Sequence, residues 1–391
     1  MSLSPRFGRW PAGWAAATAL TAALLAPSSA LAEWRLSGNT SSTVEAVTDR
    51  ERKGDNDPAF GATGTLNLSL TARDPRTQWQ TNVGVVGAKF VGPGAEGDFN
   101  RLDPNLVTTL SHRLGLWTFG ANGSFDAQPS SVTQLEDTGL TDEDVIQFTS
   151  RIGLSTRYRV SPRDTVGLNF DATAIEFSEE NDQLTPSLRF NAGGNLRHAV
   201  DQGLSTTFTL GVSRLIADDA EETVSTSANA GAGFTYDLDN RLSFNLNLGP
   251  SITQRETSNP EVSEISFGAI GAGGLSWRPT QSTSLGFEAS QGLETGGDGE
   301  LENVTRASFD VSHAIDQTFS SAFALSISRR SADTAFLSTE SDIDVLSASP
   351  SINLALDRDV RATAGYTLTV SREDGQQAMS NRIFITLTTD F

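Results

Sequence analysis

Three histidines, His112, His198 and His313, carry the widest chemistry in this 391-residue chain, because imidazole serves as general base and as metal ligand. Cysteine is absent, which removes thiolate catalysis and thiolate metal sites. Each histidine stands at or just before a short turn-forming segment: HRLG (112–115), VDQG (200–203) and IDQT (315–318). All three fall in the register of apolar neighbours and on segments far apart in the chain. They stand at the tight turns, so neither a Ser-His-Asp set nor an Asp-His pair can form among the longer loops at the opposite end, and a three-histidine metal site would need residues from segments far apart. They read as interfacial side chains. GAGG (271–274) and GAGF (231–234) interrupt alternating patterns and are followed by no helix, so they are not phosphate loops. The expectation is therefore a protein without cofactor or catalytic set, that is, not an enzyme. Acidic clusters such as QLEDTGLTDEDV (134–145) could offer carboxylate oxygens to Ca²⁺, but a solvated acidic surface accounts for them as well.

A second group has more to offer. Arg151, Arg157, Arg159, Asn169, Asp171, Arg189, Asn191, Asn195, Arg197, Asn245, Asn247, Arg306, Asp310 and Arg382 all fall on the polar side of alternating segments. Guanidinium groups ranged beside amides and carboxylates suit a passage that sorts solutes by charge, provided that their elements turn one face to an enclosed space. Lys53 and Lys89 are the only lysines, so almost all positive charge is guanidinium. The formal net charge of −20 leaves no basic surface for nucleic acid.

The elements that must position these residues are strands. In QFTSRIGLSTRYRV (147–160), Phe148, Ile152, Leu154, Tyr158 and Val160 alternate with Gln147, Thr149, Arg151, Ser155, Arg157 and Arg159. SLRFNAGGNLRH (187–198) and RLSFNLNLG (241–249) repeat the pattern. A period of two over eight or more residues is a strand with one apolar and one polar face. Tight segments join these runs at DPRT (74–77), HRLG, SPRD (161–164), VDQG, LDNR (238–241), RPTQ (278–281), IDQT and DRDV (357–360). Longer, polar and mostly acidic connections alternate with them, among them DRERKGDNDP (49–58), GPGAEGD (92–98), RETSNPEVSE (255–264), ETGGDGELEN (294–303) and SREDGQQ (371–377). Eight tight turns and nine longer loops separate 18 strands of about 10–15 residues, with 16 as the alternative. Sandwich strands are shorter, and the Gly-Asp nonapeptides of a Ca²⁺-binding solenoid are missing. The predicted fold class is all-β: a closed antiparallel transmembrane barrel, which satisfies every backbone group without water.

The ends of the chain fit that reading. Arg6 and Arg9, the apolar run Trp14–Ala26 and Ala30-Leu31-Ala32 mark residues 1–32 as a cleaved secretory signal peptide, with 33–391 as the barrel domain. Its removal takes away two arginines and no acid, moving the charge from −20 by two to −22. At the other end, RIFITLTTDF places Ile383, Ile385, Leu387 and Phe391 on one face. Trp34, Trp79, Trp117, Trp277, Tyr158 and Tyr236 cluster near the N-terminus of the barrel or the tight turns. Trp and Tyr favour membrane boundaries, so this end, with the three histidines, is expected to form the periplasmic girdle, and the acidic loops to lie outside the cell. HAVDQGLSTTFTLGVSRLIAD (198–218) also aligns without gaps on HAIDQTFSSAFALSISRRSAD (313–333), which points to hairpin duplication.

The stretch from RLDPNLVTTLSHR (101–113) through SFDAQPSSVTQLEDTG (124–139) to RYRVSPRDTVGLNFDATAIEF (157–177) resembles a loosely defined group of Gram-negative outer-membrane β-barrel proteins, porin-like in character. The terminal strand likewise resembles the signature that the barrel-insertion machinery reads, with Phe391 as the assembly signal. The resemblance implies outer-membrane lipid and lipopolysaccharide as surroundings, and exopolysaccharide export components as partners of some members. It brings no catalytic residue. The expected role is a channel, either a passive pore or an export conduit for small solutes or glycan. The alternative is a non-conducting surface or assembly protein acting through its acidic loops.

Overall fold

The computed structural model describes residues 33–48, 58–92, 99–129, 145–179, 184–219, 223–239, 241–258, 261–295, 301–331, 343–373 and 376–391. The segment expected to be a signal peptide and most of the acidic loops lie outside them. Among the described residues the regular structure is strand throughout, in one sheet of 18 strands. In chain order these are β1 (Glu33–Thr48), β2 (Pro58–Arg73), β3 (Thr77–Val91), β4 (Phe99–Leu114), β5 (Trp117–Pro129), β6 (Ile146–Arg159), β7 (Asp164–Phe177), β8 (Ser187–Ala199) and β9 (Leu204–Ala217). They continue with β10 (Val224–Asp237), β11 (Leu242–Ser258), β12 (Glu261–Trp277), β13 (Thr283–Thr295), β14 (Leu301–Ala314), β15 (Phe319–Ser331), β16 (Ile343–Ala355), β17 (Val360–Glu373) and β18 (Gln376–Asp390). Each strand pairs antiparallel with its chain neighbours, and β1 pairs with β18, which closes the barrel.

Two of the expected loops are largely strand, and the strands run to 17 residues rather than 15. Over 255–264 the ladder continues to Ser258↔Glu261 and sets Arg255 opposite Glu264. Over 371–377 it continues to Glu373↔Gln376. Polarity was mistaken for a break: in a barrel both faces of a strand are polar once it has left the apolar band, so alternation fades while pairing persists.

The tight turns share one device. Asp74 accepts from the N–H groups of Arg76 (2.7 Å) and Thr77 (2.6 Å), Asp201 from Gly203 and Leu204, Asp239 from Arg241 and Leu242, and Asp316 from Thr318 and Phe319. Ser161 and Thr280 play the same part with hydroxyls. A short side chain thus occupies the backbone donors that a three- to five-residue reversal leaves without a ladder partner. The turn between β4 and β5 uses Gly115 instead, at φ 61°. Those N–H groups also hold the Asp74 carboxyl below its ordinary value, chiefly through Arg76. Asp316 is lowered in the same way, first by the Thr318 N–H.

The seam between β1 and β18 is fully laddered from Asn39↔Asp390 to Thr48↔Asn381. Beyond it Gly38 and Phe391 exchange reciprocal backbone bonds of 2.9 Å. Thr43 and Thr386 share a 2.8 Å hydroxyl contact, Arg382 pairs with Glu45, and the Arg382 guanidinium lies 4.8 Å from the Phe384 ring centroid. Elsewhere the ladders lapse at prolines, which have no N–H to give. Two pairs are missing at Pro250 and two at Pro350, with register resumed afterwards, and the β4–β5 ladder stops at Asn105↔Asp126 beside Pro104.

Candidate functional site

One side chain establishes which face is the inside. Arg189 on β8 donates from Nη2 to the carbonyl of Leu293 on β13 at 3.1 Å, although four strands separate β8 from β13 in the sheet. Such a bond can only be made across the lumen. The face that carries Arg189 is therefore inner, and strict alternation with continuous pairing extends that assignment to the neighbouring strands. The opposite face presents Leu36, Val44, Phe267, Ile383 and Ile385, all exposed, as lipid contact demands.

The cross-lumen bond joins two halves of a charged cluster. On one side Arg151, Thr173 and Arg189 form a cross-strand row. Asp171 lies diagonal to it, 3.6 Å from Arg151 Nη2, and accepts from Asn191 Nδ2 at 2.8 Å. Arg189 Nε donates to Asn191 Oδ1 (3.2 Å) and Ser213 Oγ (3.1 Å), so its guanidinium is aimed before it reaches Leu293. On the far side Glu294 pairs with Arg306 and stands 3.9 Å from Arg330, which in turn pairs with Glu302. Arg330 is 2% exposed, and a cation so buried needs carboxylate partners to stay charged. The carboxylates of Glu294 and Asp171 and the guanidinium of Arg151 all act on the charge of Arg189. Among the described residues four guanidinium groups thus face three carboxylates, a near balance of charge.

Of the residues singled out from the sequence, the structure brings together Arg151, Asp171, Arg189, Asn191 and Arg306. Arg157, Arg159 and Arg197 lie lower, towards the tight-turn rim, with Thr165 between Arg159 and Arg197 in one cross-strand row. All three are exposed and have no carboxylate partner among the described residues; Arg197 donates to Ser205. The amides behave differently. Cβ atoms placed on Gly193, Gly274 and Gly286 would meet side-chain atoms of Asn169 (2.9 Å), Asn245 (2.8 Å) and Asp310 (2.5 Å). Asn195 and Asn247 lie over Gly167 and Gly231 in the same manner. These polar side chains lie flat over glycines of adjacent strands instead of standing into the lumen. Arg382 is engaged at the β1–β18 seam.

Glu294, Glu302, Arg330 and Ser213 were missed. Both glutamates fall in ETGGDGELEN, read as loop. Alternation carried on from Phe287 would have placed Glu294 on the inner face of β13.

The aromatic residues line the tight-turn rim on the outer face. Trp117 packs on Tyr158 with centroids 4.5 Å apart, and Trp34, Trp277 and Tyr236 are exposed. Trp79 is buried instead: Trp34 meets it edge-on at 5.6 Å across Ala72, and its Nε1 donates to Thr108. The histidines are not brought together. Each bonds the first residue of the adjoining strand: His112 to Thr77 (3.0 Å), His198 to Asp164 (2.7 Å) and His313 to Thr283 (2.9 Å).

No family model matches the chain, and no curated protein matches it. Solved structures do. The FrpB iron transporter from Neisseria meningitidis aligns with TM-score 0.51 and 9% identity over 87% of this chain and 63% of that one. The ferric-catecholate import receptor Fiu from E. coli K12 aligns at TM-score 0.47 and 8% identity, over 91% of this chain and 82% of that one. OccAB3 from Acinetobacter baumannii gives 0.47 and 7%, over 92% and 100%. The chain spans a little under two-thirds of the length of FrpB, and at such identities the likeness is one of fold. That fold is the Gram-negative outer-membrane β-barrel.

Proposed function

We propose that the protein is an outer-membrane channel for small solutes, exported by its N-terminal segment and inserted by the barrel-assembly machinery into a lipid and lipopolysaccharide bilayer. The observation that carries the reading is the Arg189–Leu293 bond. Among the described residues the lumen is crossed by a side chain, not by a chain segment, as suits a narrowing in an aqueous passage. Barrels of 16–18 strands are wide enough to hold water. The near-neutral cluster sets the width, and the unpaired guanidinium groups of Arg157, Arg159 and Arg197 set the charge preference towards anions. External acids act weakly on it, because salt at 0.15 M screens beyond about 8 Å. Participation in glycan export with exopolysaccharide components rests on sequence resemblance alone and is secondary to this reading.

The test is single-channel recording in a planar bilayer. The wild type should conduct with anion preference in a salt gradient, and Arg157→Glu with Arg197→Glu should move the reversal potential towards cations. A folded wild-type barrel that passes no current would overturn the channel and favour a non-conducting surface or assembly protein.

A further inference from the structure

The β12–β13 ladder ends at Gly271↔Gln291, yet both strands continue. β12 runs ten residues further, to Glu261, still laddered to β11, and β13 runs four further, to Thr295, still laddered to β14. The register would set Ile270 opposite Gly292, Ala269 opposite Leu293, Gly268 opposite Glu294 and Phe267 opposite Thr295. None of these pairs forms. The other lapses coincide with prolines. This one has none in either strand, and it does not close again.

The edges left facing each other are polar. Ser282 C=O accepts from Ala314 N–H, so even-numbered residues of β13 bond towards β14 and odd-numbered ones towards β12. Leu293 therefore points its backbone groups into the gap, and its carbonyl is the one that Arg189 caps from across the lumen. The gap lies at the height of the apolar band, since Ile265 and Phe267 on its β12 side are outward and 58% and 71% exposed. On the inner side it opens to space: a Cβ on Gly292 would meet no atom within 4 Å. A free backbone edge at this depth is tolerated only where it is buried in protein or lines a water-filled cavity.

We propose that the wall between β12 and β13 is a lateral port between lumen and bilayer, and that its ligand is a single-chain anionic amphiphile of the fatty-acid type. The proposal rests on the outer-membrane reading for its setting, not on axial conduction. The acyl chain lies between β12 and β13 against Phe267, Ile265 and Leu293. The carboxylate takes the place of the Leu293 carbonyl on Arg189, exchanging a neutral acceptor for a charged one. Arg151 lies on the same side of that exchange, and the neighbouring Glu294 is already engaged by Arg306 and Arg330. Arg189 is thus a binding residue for the head group and a cap for the edge when the port is empty.

The test uses the full barrel in vesicles with a photoreactive diazirine derivative of palmitic acid, adducts being mapped by mass spectrometry. Adducts should concentrate on 265–270 and 290–295, including inward Gly292, and fall on inward Ser308 and Ser326 at less than a tenth of that level. Excess palmitate should compete them away, palmityl alcohol should not, and Arg189→Gln should reduce them at least tenfold. Adducts spread evenly around the outer face, or equal competition by the alcohol, would overturn the port or its head-group site respectively. As a control independent of Arg189, the Phe267→Cys, Thr295→Cys variant should keep Gly292 labelling before its thiols are joined, and joining them with a bismaleimide should abolish it while ionic conductance persists. Persistent labelling of Gly292 in the joined barrel would refute lateral entry and leave the channel assignment standing. A barrel silent in the bilayer but labelled at the gap would refute the channel alone.

Discussion

At the scale of single residues, the lumen separates charges that balance each other from charges that do not. Asp171 neutralises part of the cluster by accepting from Asn191 and facing Arg151. Asp171→Asn should keep an acceptor for Asn191, remove one negative charge, and shift the reversal potential further towards anions, opposite in sign to the Arg157 and Arg197 substitutions. The turn aspartates make a different prediction. Asp74 and Asp316 have folded-state values lowered below the ordinary carboxylate value, so their contribution to stability is complete above that value and is lost as pH falls through the lowered one. Alanine at both positions should lower the temperature of the heat-modifiable transition at pH 7. The difference from wild type should shrink as pH falls through the lowered value and the native carboxylates too become protonated. A difference that stayed constant over that range would mean that the carboxylate charge plays no part.

At the scale of elements, alternation in the sequence revealed the strands because a tilted strand in lipid must keep one apolar row for about 9–11 residues. It revealed Arg151, Asp171, Arg189 and Asn191 for the same reason, since they share the other row. The eight short reversals were legible from their Asp, Ser, Pro and Gly residues, and the structure shows the hydrogen bonds behind that composition. What remained hidden depends on pairing beyond the apolar band. Glu302 stands on strand that has left it, and the composition around both Glu302 and Glu294 reads as loop. The lapse between β12 and β13 leaves no mark in either strand taken alone, because GAIGAGG resembles any glycine-rich strand. The two halves of the internal echo occupy equivalent places: His198 and His313 are the penultimate residues of β8 and β14, and Asp201 and Asp316 make the following turns. Closure can be tested at Gly38, where a Cβ would lie 2.7 Å from the Asn67 carbonyl and 2.8 Å from the Phe391 ring. Gly38→Val should reduce the yield of folded barrel several-fold, as should loss of Phe391, while secretion continues. Wild-type yield of the heat-modifiable form would show that the seam tolerates the change.

At the scale of the whole molecule, Trp34, Trp117, Tyr158, Tyr236 and Trp277 gather on the outer face at the tight-turn end. If that rim is periplasmic, a tag inserted in QLEDTGLTDEDV (134–145) should be labelled on intact cells and one at RPTQ (278–281) should not. The reverse pattern would invert the orientation. The acidic segments would then form the outward surface.

The seam also constrains the order of events during folding. Thr43 and Thr386 touch although they are 343 positions apart in the chain. Bringing two such distant points together directly from an open chain costs roughly 5 kcal/mol in loop entropy, before any pairing repays it. Neighbouring strands across a two- to five-residue reversal meet that cost one small step at a time. Assembly is therefore expected to proceed by adding strands to a growing sheet, with β1 and β18 the last to meet. Until they do, the sheet has two raw edges, and every delay in joining them is time available for pairing with another chain.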